Sequence, residues 1–267
     1  MNTADDIKQV RTLLRRIEGH RIQTHQDRGA LHETVNMVEV LYHPTSALPE
    51  LNYLMPRRGA AWVSAAALQT GIERIIAVGR TPHIVYLEPL LPPVFRQTLE
   101  QVEMRRAAES SIYAVDVSDA PARAAGDMVL IAQTVGDVAR WWRARSRILA
   151  GTRRFRREVR QIEAIHALAA TGRALPLLID RQADVAGIAS LELQPALKTA
   201  RLVEFLPLHA DDRAPLLRGI LHAAAARGCD LLFGAGAIFG TTDDLAAYGF
   251  THLGSAVAYL ASRVKKD

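Results

Sequence analysis

The stretch Ala200–Cys229, ARLVEFLPLHADDRAPLLRGILHAAAARGC, decides the fold. Ala200–His209 reads as a strand. A long helix then begins near Asp211 or Asp212, one of which is the expected N-cap. It buries Leu217, Ile220, Leu221, Ala224 and Ala225 and ends at Gly228. Upstream, Leu175–Asp180 and Val185–Leu193 are two more apolar runs joined by polar or proline-containing turns, so three consecutive antiparallel strands are expected. Before them, Met128–Thr134 predicts a strand. Val138, Trp141, Trp142 and Ile148 predict one helix, and Phe155, Val159, Ile162 and His166 a second, separated at Gly151. Downstream, Asp230–Phe233 predicts a strand, Thr241–Tyr248 a short helix and Phe250–Leu260 a closing strand.

The first half reads less clearly. Ile7, Val10, Leu13, Leu14 and Ile17 give an opening amphipathic helix followed by Gly19. Val35–His43 is β-like, and Leu68, Ile72, Ile75 and Ile76 stripe a helix that ends at Gly79. His83–Leu87, a helix carrying Phe95, Leu99 and Val102, and Ser111–Val117 then alternate as strand, helix and strand. Ser118–Gly126, rich in Ala, Asp and Pro, is the expected linker.

With 267 residues, 49% apolar and 23% charged, the chain has the composition of a packed globular protein. A single cysteine, Cys229, excludes an intramolecular disulfide and a zinc-finger spacing, and a reducing cytoplasm is the expected compartment. No apolar run approaches the roughly 20 residues that span a bilayer, so no membrane anchor is expected. There is no HExxH, no G-x-S-x-G elbow and no phosphate-binding G-x-x-x-x-G-K-[ST], so no metal is expected. The glycines of Gly234-Ala-Gly-Ala-Ile-Phe-Gly240 depart from the dinucleotide spacing and read as a bend.

The element order from about Gly126 to Ser262 resembles the GNAT N-acetyltransferase superfamily, with Ala200–His209 as the fourth strand and Asp243–Leu260 (DDLAAYGFTHLGSAVAYL) as the closing helix and strand with their Gly249-Phe250 pair. Residues 35–120, through element order and Tyr86–Phe95 (YLEPLLPPVF), resemble the reduced N-terminal unit of tandem GNAT proteins. The expected class is therefore α/β (α+β): a helical extension over residues 1–34, then two GNAT-like units at 35–120 and 126–262. Each unit would have a mixed, mostly antiparallel sheet flanked by helices, with the N-terminal unit reduced.

The resemblance implies an acyl-CoA-dependent N-acyltransferase using acetyl-CoA or another acyl-CoA on a small-molecule or protein amine. In that family an Arg/Gln-x-x-Gly-x-Gly/Ala loop cradles the cofactor's pyrophosphate at a helix N-terminus. Here the loop is His209-Ala-Asp-Asp-Arg-Ala-Pro215. It has no glycine, and its carboxylates sit where an anion would bind. The resemblance places cofactor contacts at Leu206, Leu208, His209 and Arg213. It makes Glu204 the base, sharing a face with Leu202, Leu206 and Leu208, where burial would strengthen it. Tyr248 is the acid, although the family's tyrosine position falls on Leu245. The cluster Arg140, Arg143, Arg145, Arg147, Arg153, Arg154, Arg156, Arg157 and Arg160 is interleaved with Trp141, Trp142 and Phe155. It makes Arg153, Arg157 and Arg160 the substrate-binding candidates for an acidic acceptor. The alternatives are a solvated or homo-oligomeric salt-bridged face, or a non-catalytic GNAT-fold binding or assembly subunit that holds an acidic partner or nucleic acid.

Overall fold

The structure is a computed structural model that describes residues 4–60, 62–119, 129–149, 166–181 and 184–261. The chain begins with α1 (Ala4–Asp27), β1 (Leu31–Val35), β2 (Val38–Tyr42), β3 (Tyr53–Pro56), α2 (Ala65–Ala77), β4 (His83–Leu87), α3 (Phe95–Gln101) and β5 (Met104–Asp116). It continues with β6 (Val129–Ile131), α4 (Val135–Ile148), β7 (Ala174–Arg181), β8 (Asp184–Gln194), β9 (Thr199–Pro207), α5 (Ala210–Ala226), β10 (Leu231–Ala235), α6 (Gly236–Phe239) and β11 (Thr251–Ala261). It divides into two compact units: unit 1 combines residues 1–112 with 253–267, and unit 2 is residues 113–252.

In unit 1, β1, β2 and β3 form an antiparallel meander, β4 runs parallel to β3, and β11 lies antiparallel against β4. Alternation along the strands separates two apolar faces. Val38, Val40, Leu54 and Ile84 pack with Leu68, Ile72 and Ile75 of α2. Leu41, Tyr53 and Met55 pack with Ile22 of α1, where His25 Nδ1 and the Tyr53 hydroxyl share a 2.8 Å hydrogen bond. The opening helix continues through Gly19 to Asp27, and the single strand read at Val35–His43 is instead the second arm of a hairpin. Its tight turn holds Asn36 at φ 55°, which asparagine tolerates well. Strand β11, read with the C-terminal domain, belongs from Leu253 onward to unit 1 because its backbone pairs with β4 from Leu87 to His83.

In unit 2, β6 through β9 are consecutive antiparallel strands, and β10 is parallel to β9. One face carries Leu175, Leu177, Leu191, Leu202 and Phe205 against Leu216, Leu217, Ile220 and Leu221 of α5. The other carries Leu178, Val185 and Ile188 against Val138, Trp141 and Trp142 of α4, with the Trp141 indole donating to Ala189 O at 3.0 Å. The meander and the long helix lie where the sequence puts them. The final short helix is instead a 3₁₀ turn at Leu245–Tyr248, and the glycine bend contains the four-residue α6. The helix read around Phe155, Val159 and Ile162 lies outside the described residues.

Helix α5 approaches β6 closely at Gly219: a Cβ there would lie 2.6 Å from Val129 Cγ2 and 2.8 Å from its Cβ. Gly→Ala inside a helix normally stabilises by about 1 kcal/mol. Here the overlap reverses the sign. Gly219→Ala should lower stability by about 1–3 kcal/mol in urea unfolding, and Val129→Gly, which removes the Cβ at 2.8 Å along with both methyls, should cost less in the Gly219→Ala background than on its own.

Candidate functional site

In each unit a strand leads through a loop into a helix and then to a parallel strand, β3–α2–β4 in unit 1 and β9–α5–β10 in unit 2. In both, the parallel pairing is short. Strands β9 and β10 pair only from Thr199 with Leu231 to Arg201 with Phe233, although β9 runs on to Pro207. Strands β3 and β4 pair only at Leu54 with Ile84, although they continue to Pro56 and Leu87. Parallel strands that part toward their carboxyl ends open a crevice of the kind that binds ligands in α/β sheets. What fills each crevice separates the two units.

The unit 2 crevice is filled by its own chain. Phe239 is 2% exposed, and a Cβ on Gly234 of β10 would lie 3.0 Å from its ring and 3.3 Å from Leu202 Cβ on β9. The ring packs over Gly234 where the strands part, against Phe205, Phe250 and Tyr113. Arg213 closes the loop. Its guanidinium donates to both carboxylate oxygens of Asp244 at 2.7 and 2.8 Å, to Phe239 O at 2.6 Å and to Thr241 O at 2.7 Å, and it lies over the Phe205 ring. The hydrogen bond from Arg213 holds the Asp244 carboxyl below its ordinary range. The N-cap is His209 rather than Asp211 or Asp212. The two aspartates are the second and third helical residues, and Asp212 Oδ2 accepts from His209 N–H at 3.0 Å. A carboxylate thus takes the N–H of the capping residue, and with Asp211 it places two negative charges in the first turn of the helix, where an anion would have to bind. An anionic cofactor does not fit these residues.

The other sequence candidates are placed as follows. Glu204 Oε1 accepts from Arg145 Nε at 2.7 Å, and Arg145 lies over the Trp142 ring. Leu202 is not on its face. The β8–β9 register shifts between Ser190, opposite Glu204, and Leu191, opposite Leu202, so Val203 is an extra residue in β9. That bulge turns Leu202 toward α5 while Leu206 packs on the α4 side. Leu208 and His209 are exposed. Tyr248 packs half-buried against the α5 core beside buried Leu245. Arg140 pairs with Asp180 at 2.9 Å and Arg147 with Asp184 at 3.1 Å, so with Arg145 three arginines of the α4 cluster are engaged within unit 2. Arg153, Arg157 and Arg160 lie outside the described residues. Among the described residues no group of side chains could hold a metal, and no helix is long and apolar enough to cross a membrane.

The unit 1 crevice is open. A cavity of about 150 Å³ lies at the carboxyl ends of β3 and β4, lined by Arg11, Arg15 and Glu18 of α1, by Pro56 through Ala60, and by Tyr86, Leu87, Leu90 and Leu91. Gly59, at φ +81°, provides the left-handed turn, with open space where a Cβ would stand. The loop leads into α2, capped by Ser64 accepting from Ala67 N–H. Pro56-Arg57-Arg58-Gly59-Ala60-Ala61 matches the fourth and sixth positions of the Arg/Gln-x-x-Gly-x-Gly/Ala loop, with proline at the first. That signal was present in the sequence, between a short apolar run and a helical stripe. A positive-φ glycine, arginines and a helix N-terminus suit a pyrophosphate.

The cavity holds one carboxylate. Glu18 is 7% exposed and 3.7 Å from Arg58 Nε. Burial pushes its carboxyl from 4.5 up to about 7, against the lowering influence of Arg58, Arg21 and Arg15 and with a small raising contribution from Glu39. Burial likewise raises the Tyr86 phenol above its ordinary value.

No protein-family model and no curated relative matches the sequence. Solved structures do match. A GCN5-related N-acetyltransferase from Kribbella flavida superposes with a TM-score of 0.66 at 13% identity, covering 92% of this chain and 96% of that one. A functionally unknown conserved protein from Staphylococcus epidermidis gives 0.58 at 10% identity over 88% and 95%. A tandem GNAT protein from the clavulanic acid biosynthesis pathway gives 0.51 at 14% over 86% and 79%. The chain has the GNAT fold.

Glu18 gives stability a pH signature. Its folded value lies above its unfolded one, so between about pH 4.5 and 7 the folded chain keeps a proton that the unfolded chain has released. Stability therefore falls across that window and levels off above it. Glu18→Gln should flatten the slope and stabilise the protein at pH 8 by on the order of 1–3 kcal/mol, read from urea midpoints at pH 5 and pH 8.

Proposed function

We propose that the chain is an acyl-CoA-dependent N-acyltransferase whose cofactor binds unit 1, with its phosphates on the Arg57–Ala60 loop and its thioester arm in the cavity beside Tyr86 and Leu87. The observation that carries this reading is the open, arginine-lined crevice at the ends of β3 and β4. Acyl-CoA supplies an activated thioester carbonyl. The protein's part is to hold that carbonyl, place an amine beside it and take up the amine's proton. Arg57 and Arg58 provide charge-assisted hydrogen bonds to phosphate oxygens, Gly59 lets backbone N–H groups approach them, and the start of α2 adds a positive partial charge. Leu87, Leu90 and Leu91 offer apolar contact to the cofactor's chain. In this reading unit 2 is the non-catalytic partner, its crevice occupied by Phe239 and tied by Arg213.

A second reading follows from the same occupied crevice: a GNAT-fold subunit that binds an anion without transferring an acyl group. Release of free thiol from acetyl-CoA in the presence of amines separates the two.

Thermal shift and calorimetry with acetyl-CoA and CoA test where the cofactor binds. A ligand at 100 times its Kd stabilises by about 2.7 kcal/mol. The double variant Arg57→Ala with Arg58→Ala should weaken binding at least about tenfold and reduce its dependence on salt. His209→Ala, at the unit 2 loop, should bind like the parent. The reverse pattern would move the cofactor to unit 2, and no shift with either ligand would sink the acyl-CoA reading.

A further inference from the structure

The acceptor is the unassigned partner in the reaction proposed above, and this inference rests on that reading. Helix α1 presents Arg11, Arg15 and Glu18 to the cavity. Their spacing of four and then three residues puts them on one stripe of the helix, about 6 Å and about 4.5 Å apart along the axis. Arg11 Nη2 donates to Leu90 O at 3.2 Å. Glu18 is the only carboxylate among four lining arginines, Arg11, Arg15, Arg57 and Arg58. Arg21 of α1, Arg58 and Glu39 of β2 also act on it.

With Arg57 and Arg58 given to the cofactor's phosphates, Arg11 and Arg15 still outnumber Glu18 along α1, so a plain amine would bring its positive charge to a wall of net positive charge. A molecule that also carries an acid group offsets that excess and leaves its ammonium for the one carboxylate. We propose that the acceptor is a small amine bearing a carboxylate or phosphate, with its acid group on Arg15 and Arg11 and its ammonium against Glu18.

The proton balance is complete. Glu18 takes one proton from the ammonium, the freed nitrogen attacks the thioester carbonyl carbon, and a C–N bond forms as the C–S bond breaks. The departing thiolate takes the second nitrogen proton and leaves as CoA thiol, the amide keeps the third, and Glu18 returns its proton to solvent. The group sits on α1, an element that precedes both sheet units. Its burial matches it to proton transfer near neutral pH.

The test is acetylation of matched pairs by the full-length protein with acetyl-CoA, followed by thiol release: amino acids against their decarboxylated amines, and phosphoethanolamine against ethanolamine. At least one acid-bearing member should exceed its partner by about 100-fold or more in kcat/KM, and which pair responds tells carboxylate from phosphate. Arg15→Ala should raise KM for that acceptor with kcat nearly unchanged. Glu18→Gln should lower kcat by about 10²–10⁴ and remove the acidic limb near pH 7 from its pH profile. The inference is overturned if acetyl-CoA binds but no pair shows the preference, if no acceptor is acetylated, or if both variants keep parental kinetics. Failure of acetyl-CoA to bind at all would instead remove the cofactor reading beneath it.

Discussion

The rest of the structure turns on two parallel strands that pair briefly and then part. Beyond the last paired residues, backbone groups and a wedge of volume are left that must meet side chains, solvent or a ligand. Unit 2 meets the demand internally. Gly234 lets Phe239 into the gap, and Arg213 ties the helix start to the segment that follows α6. Unit 1 leaves the demand unmet and surrounds it with guanidinium groups. The same architectural device thus gives a plug in one unit and a cavity in the other, and the difference lies in a few side chains rather than in topology.

The elements most legible in the sequence were those with long uninterrupted periodicity: the β7–β9 meander, α5 and α2. Leu217, Ile220 and Leu68 are buried where the pattern puts them, whereas Ala225 of α5 and Ile76 of α2, read on the same stripes, are exposed. The site was harder to read because its determinants are not periodic. The extra residue at Val203 leaves no trace in composition, yet it decides which neighbours Glu204 keeps. The Arg213–Asp244 pair joins residues 31 apart, and nothing local marks either as structural. The helix cap was misplaced by two or three residues because aspartate also serves a helix start from the third helical position, as Asp212 does. The Gly59 loop was visible, but a proline stands at its first position, where the family pattern has Arg or Gln.

Four arginines around one small volume are a cost to the folded chain. Each guanidinium raises the potential felt by the others, and only Glu18 answers them from within the lining. Glu18 is itself held against its preference, buried and only loosely paired at 3.7 Å. Sites arranged this way are commonly stabilised when occupied and strained when bare, because preorganised charge serves a ligand rather than the fold. In unit 2 the opposite choice was made. Arg213, Arg145 and Arg140 each have a carboxylate partner within the unit.

The assignment of β11 to unit 1 has a consequence for how the protein is made. A ribosome releases residues 1–112 long before 253–267, so unit 1 emerges without the strand that pairs with β4. At roughly 5–20 residues per second, the intervening stretch of about 140 residues takes on the order of 7–30 s to synthesise. During that interval the edge of β4 is an open template for any extended chain nearby. Unit 2 is continuous in sequence, whereas the cavity-bearing unit is completed only after all of unit 2 has been made. A truncated or stalled product would therefore fail first in the unit that carries the proposed cofactor site.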